Sequence, residues 1–455
     1  MKLQSRVDYD ALVRSDGVHS RVYTDPGIFT DEMVRIFHDG WVYVGHVGEV
    51  PEVGDYRLKR IGLAPVIMVR GLDGKVRLLL NRCRHRGATL CQSERGHVRA
   101  LRCSYHGWTY RLDGTLSGVP YPGGYDEAFR KEDFGLTQAP RIGTYRGFVF
   151  GSLSATGITL DEHLGRARRE LDLFAGLSDD DEIGVTAGAQ KYDYGCNWKL
   201  QIENALDGYH PSFVHSTFID AVVQRRKNPS TGYQIDYDPN AFTAGGGVTR
   251  DLGGGHVMMD YGFRIYDTLS ADVPPQVHTT TDSGARHMAE LERQLGSAHA
   301  ADGLRAGATH TLIFPNLVLI GVHIRTVMPL SVDRTEVTLQ PVTLRWLPDE
   351  VNAIRIRCHE AFYGSASFGA PDDIEIFERI GRGLAASSAD QWQPIARGIN
   401  HPRSDEEGLP IADIADEMTN RAIWRQWKKV MTAGDHPKIE GRSVQRSRRR
   451  TFTRS

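Results

Sequence analysis

Four side chains constrain this chain more than any other feature. Cys83 and His85 stand one residue apart, Cys103 and His106 two apart, and seventeen residues separate the pairs. Two thiolates and two imidazoles carried on two short loops make a ligand set for zinc or for a two-iron cluster. Zinc modules usually space their first pair by two to four residues, so a single intervening residue puts Cys83 and His85 too close for the common finger geometry. A two-iron cluster with cysteine on one iron and histidine on the other explains the mixture better. Its potential would lie at roughly −150 to +300 mV, well above that of an all-cysteine cluster. The plain alternative, four unrelated core residues, has to explain two agreeing pairs.

The surroundings of these pairs are β-rich. From about Gly45, short runs such as Val66-Ile-Met-Val and Val76-Arg-Leu-Leu-Leu alternate with Gly, Asp and Pro turns, which predicts a small all-β domain over residues 45–155. The preceding segment, 1–44, contains an expected helix over 30–40. Thr30 would be its N-cap, Met33, Val34, Ile36 and Phe37 its apolar stripe, and Gly40 its stop. That segment is expected to pack with the later part of the chain.

A second constellation lies in Gln201–His215, where two imidazoles and two carboxylates fall within a short span. Two histidines and one carboxylate hold one face of a non-haem ferrous ion and leave the other open. His210 and His215 are the candidate imidazoles. Five positions apart on an ideal helix they diverge by roughly 140°, and Pro211, which biases the residue before it away from helix, offers a break between them. The third ligand has to come from elsewhere. Asp372 and Asp373 follow Pro371 at the start of an expected helix, where acids also serve ordinary capping, and local physics does not choose between them.

Length suits two or three domains, with a catalytic domain expected over 156–436. Charge is balanced at 55 basic against 57 acidic residues, so neither nucleic acid nor an anionic surface is implied. No apolar run is long enough to span a bilayer and no signal pattern opens the chain, so a soluble cytoplasmic protein is expected. Five cysteines make no disulfide framework; Cys91, Cys196 and Cys358 read as small buried apolar residues.

Thr159-Leu-Asp-Glu162 has the form of a capping box, with Leu164, Leu171 and Phe174 at helical spacing behind it. Asp179–Glu182 reads as a surface turn. Residues 222–307 look irregular, with Gly245-Gly-Gly and Gly253-Gly-Gly; neither triplet has a nucleotide-site context, and loops over a substrate channel are expected there. Leu317–Met328 alternates as one strand, with Val318, Ile320 and Ile324 on one face and Leu317, Leu319, His323 and Arg325 on the other. The second face suits the wall of a substrate pocket, His323 and Arg325 being the polar contacts and Arg325 able to fork onto a carboxylate; an ion pair or a sheet-edge position is the plain alternative for Arg325. Ile423, Trp427, Val430 and Met431 predict a closing helix, and the basic tail 437–455 has almost no apolar content.

Cys83-Arg-His85-Arg-Gly followed by Cys103-Ser-Tyr-His106-Gly-Trp-Thr-Tyr resembles the Rieske motif of the ring-hydroxylating Rieske non-haem iron oxygenases, large (alpha) subunit. Glu203-Asn-Ala-Leu-Asp207-Gly-Tyr-His210 is similar to that family's mononuclear iron motif. One residue shorter before Asp207 than in naphthalene-type members, it looks more like the benzoate-dioxygenase-like branch. The resemblance implies an α+β chain: an all-β Rieske domain inserted into a larger catalytic domain with a central antiparallel sheet flanked by helices. It implies a 2Fe-2S cluster on Cys83, His85, Cys103 and His106, mononuclear Fe(II) on His210, His215 and Asp373, and Asp207 as the electron-transfer bridge to a neighbouring subunit. It further implies a homotrimer, or an α3β3 assembly with a small β subunit. Dioxygen would be the cosubstrate. Nothing in the chain resembles a flavin or nicotinamide site, so electrons from NADH would come through a partner flavin reductase, a ferredoxin or both. The implied activity is cis-dihydroxylation of a small aromatic compound, with an aromatic carboxylate as one candidate. A monooxygenase or demethylase on the same metals, or a Rieske electron carrier with a non-catalytic second domain, are the alternatives.

Overall fold

The computed structural model describes residues 7–175, 183–226, 246–261, 309–321, 323–345, 349–386 and 391–433, with a few isolated positions between them. The acidic run 179–182, the first glycine of the Gly245 triplet, most of 262–308, the Cys358 side chain and the basic tail lie outside the described residues.

A nine-stranded antiparallel sheet organises the later part of the chain. Its order is Gln190–Tyr194, Arg334–Pro341, His323–Ser331, Leu317–Ile320, Thr309–Ile313, His256–Asp260, Val248–Gly253, Pro410–Asp413 and Arg403–Ser404. Side chains alternate along each strand, and here both faces are apolar. One face offers Val257, Met259, Leu312, Val318, Ile320, Val337 and Leu339 to a core shared with Trp198, Trp424 and Trp427. The other offers Met258, Ile313, Leu317, Leu319 and Ile324 to Trp41, Phe148, Phe150, Leu171 and Phe174. Helices therefore cover the first face, and the second is covered by the Arg168–Ala175 helix and the small sheet of Val42–His46, Arg141–Tyr145 and Phe148–Ser152.

Two expectations about this sheet change. Leu317–Met328 is a hairpin, because the chain reverses between Ile320 and His323, which pair directly. The two-residue connection was hidden inside an unbroken apolar alternation. Val318 and Ile320 therefore share a face with His323 and Arg325, while Leu317 and Leu319 face the opposite core. The Gly253 triplet turns a second hairpin, Val248–Gly253 with His256–Asp260, within the stretch expected to be irregular. Its three glycines have φ of +85°, +63° and +79°, a succession that side chains with a Cβ resist.

The N-terminal helix also starts earlier than expected. Asp25 caps Pro26–Glu32, accepting from the Gly27 and Ile28 N–H groups at 2.8 and 3.4 Å, and the chain continues as a π-helical turn over Met33–His38. Asp followed by Pro at the first helical position out-competes Thr30 as a cap; Thr30 Oγ1 instead donates to the Pro26 carbonyl at 2.9 Å. Met33, Ile36 and Phe37 are buried, but Val34 is exposed. Glu32 of this segment accepts from Lys199 Nζ at 2.6 Å, Trp427 Nε1 at 2.6 Å and Trp198 Nε1 at 3.0 Å. The closing helix, Met418–Thr432, buries Ile423, Trp424, Trp427 and Met431, and the Thr159–Glu162 capping box is formed.

The strand-rich early region has a core of its own. A four-stranded sheet (Val76–Leu80, Ala64–Arg70, Asp55–Ile61, Arg95–His97) and a three-stranded one (Leu101–Arg102, Thr109–Tyr110, Leu116–Gly118) enclose Ile67, Val69, Leu79, Trp108 and Tyr110 together with Cys83 and Cys103. No helix of the described residues is long and apolar enough to cross a membrane.

Candidate functional site

The two Cys-His loops share one backbone design. The Cys83 N–H donates to the Ala88 carbonyl at 2.8 Å and the Gly87 N–H to the Cys83 carbonyl at 2.9 Å; the corresponding pairs in the second loop are Cys103 to Trp108 at 2.8 Å and Gly107 to Cys103 at 3.0 Å. Each loop closes through a glycine at positive φ, +83° for Gly87 and +70° for Gly107, a conformation that disfavours any side chain. Both cysteines are buried, whereas both histidines are partly exposed, with ring centroids 4.6 Å apart. His85 stacks on Trp108 at 4.9 Å and 8°, and the Tyr110 hydroxyl lies 3.3 Å from Cys83 Sγ. Desolvation, with His106 and Arg86 nearby, holds His85 below the ordinary histidine range, in the neutral form that binds metal. Its Nδ1 is buried without a partner. Sulfur donors inside and imidazole donors towards the surface fit a mixed-ligand 2Fe-2S cluster.

The second constellation is assembled over a long range. The Lys199–Asn204 helix ends in a turn through Asp207, and a short helix, Pro211–Val214, follows. Pro211 does not push His210 out of the helical region: His210 has φ −71° and ψ −33°, and its carbonyl accepts from the Val214 N–H at 3.0 Å. The distortion falls at His215 instead, with φ −99° and ψ +24°, before Ser216–Arg226 resumes. The two rings end 5.4 Å apart at 73°.

The Ala370–Gly383 helix brings the acids. Asp373 Oδ1 lies 3.4 Å from His215 Nε2 and 3.7 Å from His210 Nε2, and ligand atoms of His210, His215 and Asp373 all fall within 4.8 Å of one another. Asp372 approaches the other side of His215, at Nδ1 and 3.5 Å, with its side chain 40% exposed against 13% for Asp373. Burial raises the Asp373 pKa, but the His215 hydrogen bond and the charges of His210, His215 and Arg325 outweigh it, so the carboxyl stays below its ordinary range. Asn204 Nδ2 donates to Asp373 Oδ1 at 3.2 Å. Asp207 sits outside the triad, its Oδ1 accepting from the Tyr209 N–H at 2.6 Å and its Oδ2 lying 3.8 Å from His210 Nδ1. Two imidazoles and a carboxylate converging from one side fit a ferrous ion with an open face.

The triad borders a small cavity of about 40 Å³. Met259, Ile320, Phe362 and Tyr363 supply apolar surface, and His310 and Arg325 supply polar groups. His310 Nδ1 donates to the Ala205 carbonyl at 3.1 Å and its Nε2 accepts from the Tyr363 hydroxyl at 3.2 Å. Burial brings the His310 pKa down to about 3, so the ring is neutral. His323 does not line this cavity. It is fully buried behind Tyr363, ring centroids 4.9 Å apart, with its Nδ1 3.1 Å from His359 Nδ1. Arg325 does line it. Asn204, His310, Phe362 and Tyr363 are the neighbours that sequence reasoning passed over. Asn204 lies inside the Gln201–His215 stretch and was open to notice, whereas the other three carry no local signal.

The chain matches the family models "Ring hydroxylating alpha subunit (catalytic domain)" over residues 185–409 and "Rieske [2Fe-2S] domain" over residues 40–131. It is 33% identical over 429 residues to the 2-halobenzoate 1,2-dioxygenase large subunit of Burkholderia cepacia, covering 91% of this chain and 89% of that one. It is 32% identical to the anthranilate 1,2-dioxygenase large subunit of Acinetobacter baylyi, covering 92% and 91%. Among solved structures, naphthalene 1,2-dioxygenase from Rhodococcus sp. bound to indole aligns with a TM-score of 0.77 at 26% identity, covering 91% of this chain and 94% of that one.

Proposed function

The chain belongs to the ring-hydroxylating dioxygenase alpha subunits, Rieske non-haem iron oxidoreductases of the benzoate-like branch, and from that premise we propose that it is the terminal oxygenase for a small aromatic acid. Dioxygen is the cosubstrate, and electrons come from NADH through a flavin reductase, a ferredoxin or both. Relatives named for 2-halobenzoate, toluate and anthranilate support the substrate class, with a cis-dihydrodiol as the product. Multimers form within the family; a homotrimer or an α3β3 assembly with a small β subunit is the arrangement proposed here.

Cys83, His85, Cys103 and His106 would hold the 2Fe-2S cluster, and His210, His215 and Asp373 the ferrous ion. When bound, the cluster supplies electrons one at a time and the ferrous ion supplies the place where dioxygen is activated beside the ring. The remaining work falls to the chain. Asp373 contributes one negative charge, and the amide of Asn204 fixes the orientation of its Oδ1. Asp207, at the outer nitrogen of His210, would couple that imidazole to a Rieske histidine of a neighbouring subunit, as carboxylates behind metal-bound histidines do generally. Phe362, Ile320 and Met259 exclude water and offer a flat ring apolar contact.

The observation that carries the proposal is the convergence of two imidazoles and one carboxylate at the edge of a largely apolar cavity. Protein purified without oxygen and loaded with ferrous iron should contain about three irons and two acid-labile sulfides per chain, and should form a cis-dihydrodiol from an aromatic acid when given reductase and NADH. About two irons and two sulfides would leave an electron carrier and remove the mononuclear centre. Zinc without sulfide would overturn both assignments.

A further inference from the structure

Two cations are buried among the described residues, Lys199 at 2% exposure and Arg325 at 4%. Lys199 is answered by Glu32 at 2.6 Å. Arg325 is not answered: its Nε has no hydrogen-bond partner, and no carboxylate among the described residues is within ion-pair distance of the guanidinium. A buried charge without a partner is strongly disfavoured, so such groups are ordinarily paired or bind something charged. The Tyr363 ring, 5.9 Å from the guanidinium carbon, gives only a weak cation–π contact at that distance.

The register places this charge in the cavity. Arg325 pairs across the sheet with Val318 and Leu339, and Ile320 pairs with His310, so all five side chains share the face that borders the triad. Two of the imidazoles nearby, His310 and His323, are neutral and bonded elsewhere, His310 to Ala205 and Tyr363 and His323 to His359. Asp373, the acid of the same cavity, is engaged with His215, His210 and Asn204. One fork without a hydrogen-bonded partner therefore remains in a cavity whose ionised carboxylate, Asp373, is committed to the two imidazoles.

We propose that Arg325 is the specificity residue that reads the acid group of the substrate, its fork taking the carboxylate of a benzoate-type acid while the ring lies against Phe362 and Ile320. The inference rests on the oxygenase reading above and adds to it a group that selects anionic rings over neutral rings of the same size. Forked guanidinium–carboxylate pairs are strong and directional, and a hydrogen bond to a charged group contributes tens-fold to a hundred-fold in affinity.

Calorimetry on the iron-loaded holoenzyme, with benzoate and its neutral counterpart benzamide as probes, tests this without turnover. Wild type should bind benzoate at least about 10-fold more tightly than benzamide. Arg325→Met should weaken benzoate by about 100-fold and leave benzamide within about 3-fold, with Arg325→Lys in between because it keeps the charge and loses the fork. Equal weakening of both probes in the variants would overturn the proposal, as would a wild-type preference near unity. That wild-type ratio decides the matter alone if Arg325→Met does not fold. Failure of the oxygenase reading would show separately, in the iron count and in the absence of oxygenated product from any arene.

Discussion

Cys83 and Cys103 sit in loops that close on themselves within a few residues, each through two backbone hydrogen bonds and a glycine. His210, His215 and Asp373 meet only because two helices pack together, and the Asn204 amide that bonds Asp373 is 169 residues away from it in sequence. The first region carries its geometry in local backbone preferences. The second carries it in the core that holds the helices, so its ligand directions depend on distant packing. The two candidate centres should therefore fail independently and for different reasons.

The largest effect should come from the loops. Cys83→Ser removes one of the four proposed cluster ligands, and the visible spectrum and both sulfides should vanish together with NADH-driven turnover, while about one ferrous ion per chain still binds. Retention of sulfide in that variant would break the contrast. Next come the paired acids: Asp373→Ala should lower ferrous-iron affinity by more than about 100-fold, and Asp372→Ala, which reaches only the outer nitrogen of His215, by no more than about 10-fold. Iron titration with sulfide as the internal reference reads both, and equal losses would mean that the helix does not discriminate between them. Asp207→Asn should slow turnover about 10- to 100-fold with both iron and sulfide unchanged, since only the proposed coupling carboxylate is altered; loss of iron would give Asp207 a structural role instead.

The smallest effect concerns the core behind the second region. Glu203 accepts from the Tyr23 hydroxyl at 2.8 Å and from Trp424 Nε1, and burial pushes its carboxyl from about 4.5 up to about 7. The folded protein therefore holds this proton more tightly than the unfolded chain does. The stability it contributes is present below about pH 4.5 and is lost as pH rises through about 7. Glu203→Gln, which keeps the acceptor and cannot ionise, should match wild type in acid and exceed it by roughly 2 kcal/mol at pH 8, allowing for partial exposure. Denaturant unfolding at the two pH values measures the difference, and a variant weaker than wild type at pH 8 would contradict it.

The same contrast explains what could be read from the residues alone. The Cys-His pairs stand out because spacing within a loop is a local property, and so do the Thr159 capping box and the apolar stripe of Met418–Thr432. The reversal between Ile320 and His323 was hidden because alternation continues through it, and with it went the knowledge that Arg325 shares a face with Ile320 rather than with Leu317 and Leu319. Both acids after Pro371 fit a helix start, and only the packing turns Asp373 inward. His323 lies behind Tyr363 because a helix end covers it, a contact that no local pattern records.

Behind the triad-bearing stretch, Tyr23 and Glu32 from the beginning of the chain meet Trp424 and Trp427 from its end on Lys199, Glu203 and Trp198. During synthesis the loop region, with its own core, is free to fold as soon as it emerges. The support of the second region is complete only when the last helix has left the ribosome. Order of translation thereby becomes order of maturation: the candidate cluster loops can take shape before chain completion, and the candidate triad acquires its final shape only afterwards.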